Sequence, residues 1–169
     1  MSVEIRQESE RDILAIRDVN RRAFDEEDEA RLVDDLRGGG HARLSLVAEE
    51  DGRIVGHIMF SEAVIRTEEG EVGVLALGPV AVAPERQGKG IGSALVRTSL
   101  DRCARTGHRI VVLLGHPNYY PRFGFSADLA RNLSSAYSGE AFMALEIVPG
   151  ALSGVAGEFE FAPPFEAVS

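Results

Sequence analysis

The stretch Leu77-Gly-Pro-Val-Ala-Val-Ala-Pro-Glu-Arg-Gln-Gly-Lys-Gly-Ile-Gly-Ser-Ala-Leu95 decides how this chain is read. An apolar strand runs into a loop with glycine at every second position, Gly88, Gly90 and Gly92, and the loop opens into a helix. Successive loop N–H groups together with a helix N-terminus make an anion cradle, because the first amides of a helix have no intrahelical acceptor. Glycine lets the backbone approach a phosphate without interference from a Cβ. Lys89 and Arg86 add a mobile ammonium and a fork of donors. Two phosphate-binding patterns fit poorly. A P-loop needs Ser or Thr directly after its lysine, and Gly90 follows Lys89. A dinucleotide fingerprint needs a third glycine where Ser93 stands. It also needs an acidic residue at the end of the next strand, which reads Leu114-Gly115-His116. Pro79 has no N–H to donate to a ladder, so pairing is broken on at least that side of its strand.

Upstream, Val3, Ile5 and Gln7 alternate as a short strand, and Ser9 stands three residues before Asp12 as in a capping box. Ile13, Leu14, Ile16, Val19, Ala23 and Phe24 follow at helical spacing. A second helix is predicted over 28–37 on Ala30, Leu32, Val33 and Leu36, ended by Gly38-Gly39-Gly40. Leu44, Leu46 and Ala48 begin a meander, with Asp51-Gly52 as its first turn, a return strand over 53–65, a turn at 68–71 and a third strand over 72–82.

Downstream, a helix is predicted over 93–105 with Val96, Leu100, Cys103 and Ala104 facing inward, then an apolar strand over 109–114 buried on both faces. A helical turn over 119–122 leads into Phe123-Gly124-Phe125, and 141–148 is a late strand. The segment 159–165 is open to three readings: a cover for the core, a surface that pairs with a partner, or a pocket lining. The order of elements is that of an α+β fold with mixed pairing and one βαβ crossover, and 1–169 is read as a single domain.

The chain has 169 residues, of which 44% are hydrophobic and 27% charged, enough to bury a core in one unit. Net charge −9 lacks the basic footprint of nonspecific nucleic-acid binding, and favours solubility before any choice of partner. No apolar run approaches a membrane span, and the polar N-terminus lacks the pattern of a signal peptide. The lone Cys103 excludes an internal disulfide and a cysteine-built zinc site, and His41, His57, His108 and His116 are scattered, so no metal is expected. A cytoplasmic bacterial-type enzyme fits this balance.

Gln87-Gly-Lys-Gly-Ile-Gly92 resembles the Gln/Arg-x-x-Gly-x-Gly/Ala signature of the GNAT superfamily of acyl-CoA N-acyltransferases. Leu77 to Pro84 resembles that family's fourth strand, and Tyr119-Tyr-Pro-Arg-Phe-Gly-Phe125 its Tyr-x-x-x-Gly-Phe element. The doubled tyrosine and the segment 141–151 are similar to the bacterial predicted acetyltransferases grouped as YhbS-like. The resemblance implies a mostly antiparallel sheet with a splayed parallel strand pair and flanking helices. It also implies transfer of an acetyl group from acetyl-CoA to a small-molecule or peptide amine, by direct attack in a ternary complex. The pantetheine arm would pair with backbone at Val80, Ala81 and Val82. The pyrophosphate would rest on N–H groups of Gln87, Gly88, Lys89, Gly90, Ile91, Gly92 and Ser93, with Asn118 as a further cofactor contact.

In the family, a tyrosine four residues before the glycine of the Gly-Phe pair protonates the departing thiolate. Counting back from Gly124 assigns Tyr120, with Tyr119 as the alternative. The base is not visible. Val74-Leu-Ala-Leu77 offers no strand carboxylate, and Glu26, Glu27, Glu62 and His57 are candidates to reach an acceptor directly or through water. His116 follows the buried strand, whereas Cys103 reads as a core residue rather than a nucleophile. The missing strand carboxylate keeps open a second class, an acyl-CoA-binding sensor or interaction module without transfer. A nucleotide-binding module is a third. Monomer and homodimer are both compatible with the sequence.

Overall fold

The computed structural model describes residues 2–137 and 139–167. Its elements are β1 (Glu4–Gln7), α1 (Ile13–Phe24), α2 (Asp28–Gly38), β2 (Ala42–Glu50), β3 (Arg53–Thr67), β4 (Gly70–Val82), α3 (Ile91–Arg105), β5 (Ile110–Leu114), β6 (Leu133–Ser134), β7 (Phe142–Glu146) and β8 (Gly157–Phe161). The strands form a mixed sheet ordered β1-β2-β3-β4-β5-β7, with β8 pairing both β3 and β6. β4 and β5 run parallel in register through Leu75–Val111 and Ala76–Val112. Two residues further on, Gly78–Pro79 is a cis peptide.

The chain divides into two compact units. Among the described residues the first comprises 2–61, 78–99 and 162–167. Here α1 and α2 cover one face of β2 and β3 through Ile16, Leu32, Val33, Leu36, Val47 and Met59, with Phe165 packed alongside. The first half of α3 covers the opposite face. A Cβ on Gly56 would stand 3.0 Å from Leu95 Cδ1, 3.2 Å from Ile91 Cγ2 and 3.3 Å from Ala48 Cβ, so glycine there lets the helix lie close to the strands. The capping box is present: Ser9 N–H donates to Asp12 Oδ2 at 2.7 Å, and Arg6 pairs with the same carboxylate. It caps a single 3-10 turn that continues into α1.

The second unit comprises Glu62–Leu77 and Leu100–Phe161. Its core gathers Ile65, Val74, Ala76, Val112, Phe142, Ala144 and Phe159. β8 enters this core through Phe159 and pairs antiparallel with the second half of β3, Ala63 with Phe161 through Arg66 with Glu158. The segment 159–165 therefore covers core.

Three expectations change. α3 begins at Ile91 rather than Ser93, taking the last loop glycine, Gly92, into its first turn. Ala104 is exposed and Leu100 half-buried, and the inward face is Leu95, Val96, Ser99 and Cys103. The stripe is thus rotated toward the helix start, because small Ala104 gains little from burial. Leu114 ends β5 at 45% exposure, so burial on both faces stops one residue short of the strand end.

Candidate functional site

The glycine loop lies in the first unit. Ala81 is buried between half-buried Val80 and Val82, and Ala83 N–H donates to Val55 O at 2.9 Å, which holds the end of β4 against β3. Gln87 then folds back, its Nε2 donating to Val82 O at 3.0 Å, and this sets the width of the loop. Gly88 and Gly90 have φ of 77° and 85°, a region that L side chains rarely adopt, and a Cβ on either would meet nothing within 4 Å. The space a side chain would fill is therefore left open on this face of the loop. Ala94 N–H donates to Gly90 O at 3.0 Å and starts the helical ladder, so the amides of 88–92 precede it at the positive end of a 15-residue helix. Exposed Lys89 borders the loop, and Ser93 lies in the first turn of α3. Arg86, read as a fork of donors, has its Nε engaged with the Glu50 carboxylate. The residues present fit a bound pyrophosphate: backbone donors, open glycines and one nearby ammonium.

The tyrosine turn lies in the second unit, after β5. Tyr119 and Tyr120 N–H groups both donate to His116 O, at 3.1 and 3.3 Å, which places exposed His116 as a turn former. Asn118 is exposed on the same turn. The two phenols differ. Arg122 stacks over the Tyr119 ring at 4.5 Å and its Nε donates to Tyr119 O at 2.9 Å. The Tyr120 ring packs edge-on against Tyr119 at 5.0 Å and Phe125 at 5.9 Å, and tilted against Phe123 at 6.3 Å. Among the described residues the Tyr120 hydroxyl forms no hydrogen bond. Burial, with Tyr119 adding, pushes its pKa up to about 12, which keeps it protonated and able to donate. Gly124 closes the turn at φ 103°.

His57 is excluded as a base. It is fully buried, its Nδ1 lies 3.1 Å from Asn20 Nδ2 and its Nε2 2.8 Å from Ser45 Oγ, and burial lowers its pKa to about 3. Asn20 Nδ2 can only donate, so Nδ1 accepts and Nε2 carries the proton toward Ser45. Glu26 and Glu27 are exposed, and Glu62 is half-buried. Glu29, inside the same acidic run, was not singled out by sequence. Its Oε1 is buried without a hydrogen-bond partner among the described residues, and burial, then Glu26 and Asp28, raise its pKa. The acidic run held the signal, but only the fold shows which of its members is desolvated. Cys103 is buried, and burial raises its thiol pKa to about 12, which makes it inert. Among the described residues no group of three or more His, Cys, Asp or Glu is arranged for a metal ion, and no helix is long and apolar enough to cross a membrane.

A mixed sheet in which β4 and β5 run parallel, leading through a glycine cradle into a helix, is the architecture of an acyl-group transferase of the GNAT type. Residues 4–127 match the family model for the acetyltransferase (GNAT) domain, and the chain belongs to that family. It is 44% identical over 112 residues to the uncharacterized N-acetyltransferase YjhQ of Escherichia coli K12, a match covering 65% of this chain and 62% of YjhQ. It is 35% identical over 148 residues to the uncharacterized N-acetyltransferase YhbS of the same strain, covering 86% and 87% of the two chains. The crystal structure of E. coli YhbS in complex with CoA superposes with a TM-score of 0.91 at 33% identity, covering 99% of this chain and 93% of that one. A GNAT acetyltransferase of Brucella melitensis in complex with acetyl-CoA gives 0.82 at 38% identity, covering 97% and 98%.

Proposed function

We propose that this acetyltransferase moves the acetyl group of acetyl-CoA to a primary amine by direct attack in a ternary complex, with no acyl-enzyme intermediate. The observation that carries the reading is the open glycine cradle ahead of α3, in a chain whose close structural relatives hold CoA and acetyl-CoA. Acetyl-CoA, when bound, supplies the activated thioester. Amides of Gln87, Gly88, Lys89, Gly90, Ile91, Gly92 and Ser93 hold its pyrophosphate, and backbone at Val80, Ala81 and Val82 pairs with the pantetheine arm. A backbone N–H near Val80 stabilises the oxyanion, and Tyr120 donates its proton to the departing sulfur. Asn118 is a further cofactor contact.

An amine with pKa near 10 is almost wholly protonated at neutral pH, so attack needs a base. Glu29 suits that task, because its buried Oε1 and raised pKa make it readier to take up a proton than an ordinary carboxylate. The acidic run around it and the net charge of −9 favour a cationic acceptor. We place the enzyme in the cytoplasm, acting as one domain in a monomer or homodimer.

A panel of polyamines, amino acids, aminoglycosides and lysine peptides, assayed with acetyl-CoA by thiol release, tests the reading. Acetyl transfer to at least one amine class is expected. Acetyl-CoA binding without transfer to any of them would favour the sensor reading instead.

A further inference from the structure

Gly115 is the residue immediately after β5, and it lacks a Cβ for a reason visible in its surroundings. A Cβ built there would stand 2.5 Å from Cε2 and 2.8 Å from Cδ2 of the Tyr120 ring, about 1 Å short of ordinary contact. Its φ lies outside the left-handed region, so alanine meets no backbone penalty at this position, in contrast to Gly124. What the position excludes is a side chain, and what excludes it is chiefly one phenol ring; Leu113 Cδ1, at 3.3 Å, is the flexible end of a side chain.

Neither partner is at liberty to back away. Gly115 N–H donates to Ala141 O at 2.9 Å, continuing the ladder that joins β5 to β7. The Tyr120 ring is bounded by Tyr119, Phe123 and Phe125, and its own N–H is tied to His116 O. The ring thus lies against three aromatics and the bare backbone of Gly115.

We infer that Gly115 is a positioning residue for the reaction, whose missing side chain fixes where the Tyr120 hydroxyl stands relative to the coenzyme A sulfur. The inference rests on the assignment of Tyr120 as the donor to that sulfur. A displacement near 1 Å is the scale at which positioning fails, with losses of about a hundredfold in rate.

The test needs no acceptor. Coenzyme A is bound to the purified protein and its thiol is titrated by thiolate absorbance, as the difference between loaded and unloaded protein. Cys103 and Tyr120, with pKa values near 12, stay silent over the useful range. A donor to the thiolate favours the charged form and lowers the pKa of the bound thiol. Tyr120→Phe is expected to raise that pKa by about one unit, Gly115→Ala to raise it in the same direction, and the double variant to go no further than Tyr120→Phe alone. A merely structural role for Gly115 would leave the bound thiol where the wild type has it.

If Tyr120→Phe moves the thiol and Gly115→Ala does not, the inference fails while the donor assignment stands. If Tyr120→Phe moves nothing, the donor assignment fails and takes the inference with it. Should Gly115→Ala lose coenzyme A binding or fail to fold, Tyr120→Ala in the same chain removes the ring the new Cβ meets. Restored folding and binding then support the contact, and no restoration overturns it.

Discussion

Replacing Tyr120 by Phe removes one oxygen atom and leaves the ring contacts with Tyr119, Phe123 and Phe125 in place. Under the proposed mechanism that oxygen carries the proton for the leaving thiolate, so kcat is expected to fall by roughly a hundredfold or more, in the range of general-acid contributions. Acetyl-CoA affinity, set at the glycine loop, should stay within about threefold, a change worth less than 1 kcal/mol. Equal losses of rate and affinity, measured by steady-state kinetics beside calorimetry, would contradict the role. For Glu29→Gln the expected loss is of the acidic limb in the pH profile of kcat/KM, because the group that must deprotonate is gone; an unchanged limb would remove Glu29 from the mechanism. The two residues differ in how legible they were. Tyr120 enters through the family resemblance, by counting back from Gly124, and its role as donor belongs to the proposal. Glu29 is one of five consecutive acidic residues from Asp25, and its desolvation depends on how the start of α2 is buried, which no local spacing reports. His57 shows the converse error: a polar residue in an apolar strand read as chemistry, when the fold satisfies it with Asn20 and Ser45.

Elements built on strong local periodicity stand close to where the sequence places them. The second helix is read over 28–37 and observed over Asp28–Gly38, and the return strand is read over 53–65 and observed over Arg53–Thr67. Turn chemistry and glycine stops mark those ends from within the chain itself. β8 was not legible, because its pairing with β3 joins residues more than ninety apart and its alternation is only five residues long. The contact that seats it is specific. A Cβ on Gly157 would overlap Arg66 O and lie 3.2 Å from Thr67 Cα, all backbone that no rotamer change can clear. Gly157→Ala should therefore detach the start of β8, costing roughly 3 kcal/mol and lowering Tm by about 10 °C. A variant melting within about 2 °C of wild type, less than 1 kcal/mol for a chain of this size, would show that the backbone approach is not what holds this edge.

At the scale of the whole molecule, the hydrogen-bonded chain Asn20–His57–Ser45–Glu8–Arg37, buried at its first three members, makes stability depend on pH. His57 binds a proton near 6.5 when unfolded and only near 3 when folded, chiefly through burial. Between those values the unfolded state holds more protons, so stability falls as pH drops below about 6.5, by at most about 1.4 kcal/mol per pH unit. Glu8 acts in the same direction: Arg37 and Ser45 hold its pKa below the ordinary value, and that contribution is lost as pH falls through it. Urea midpoints should decline between pH 6.5 and 4.5 more steeply in the wild type than in His57→Gln, and parallel slopes would remove His57 from the account. The central claim is narrower, that the glycine loop serves an acyl-CoA. Calorimetric titration of the purified protein with acetyl-CoA, coenzyme A, ATP and NAD tests it most directly. Micromolar binding of both coenzyme A forms, with ATP and NAD silent, is the predicted result. Silence from both coenzyme A forms would contradict it and leave the loop as a strand-to-helix turn.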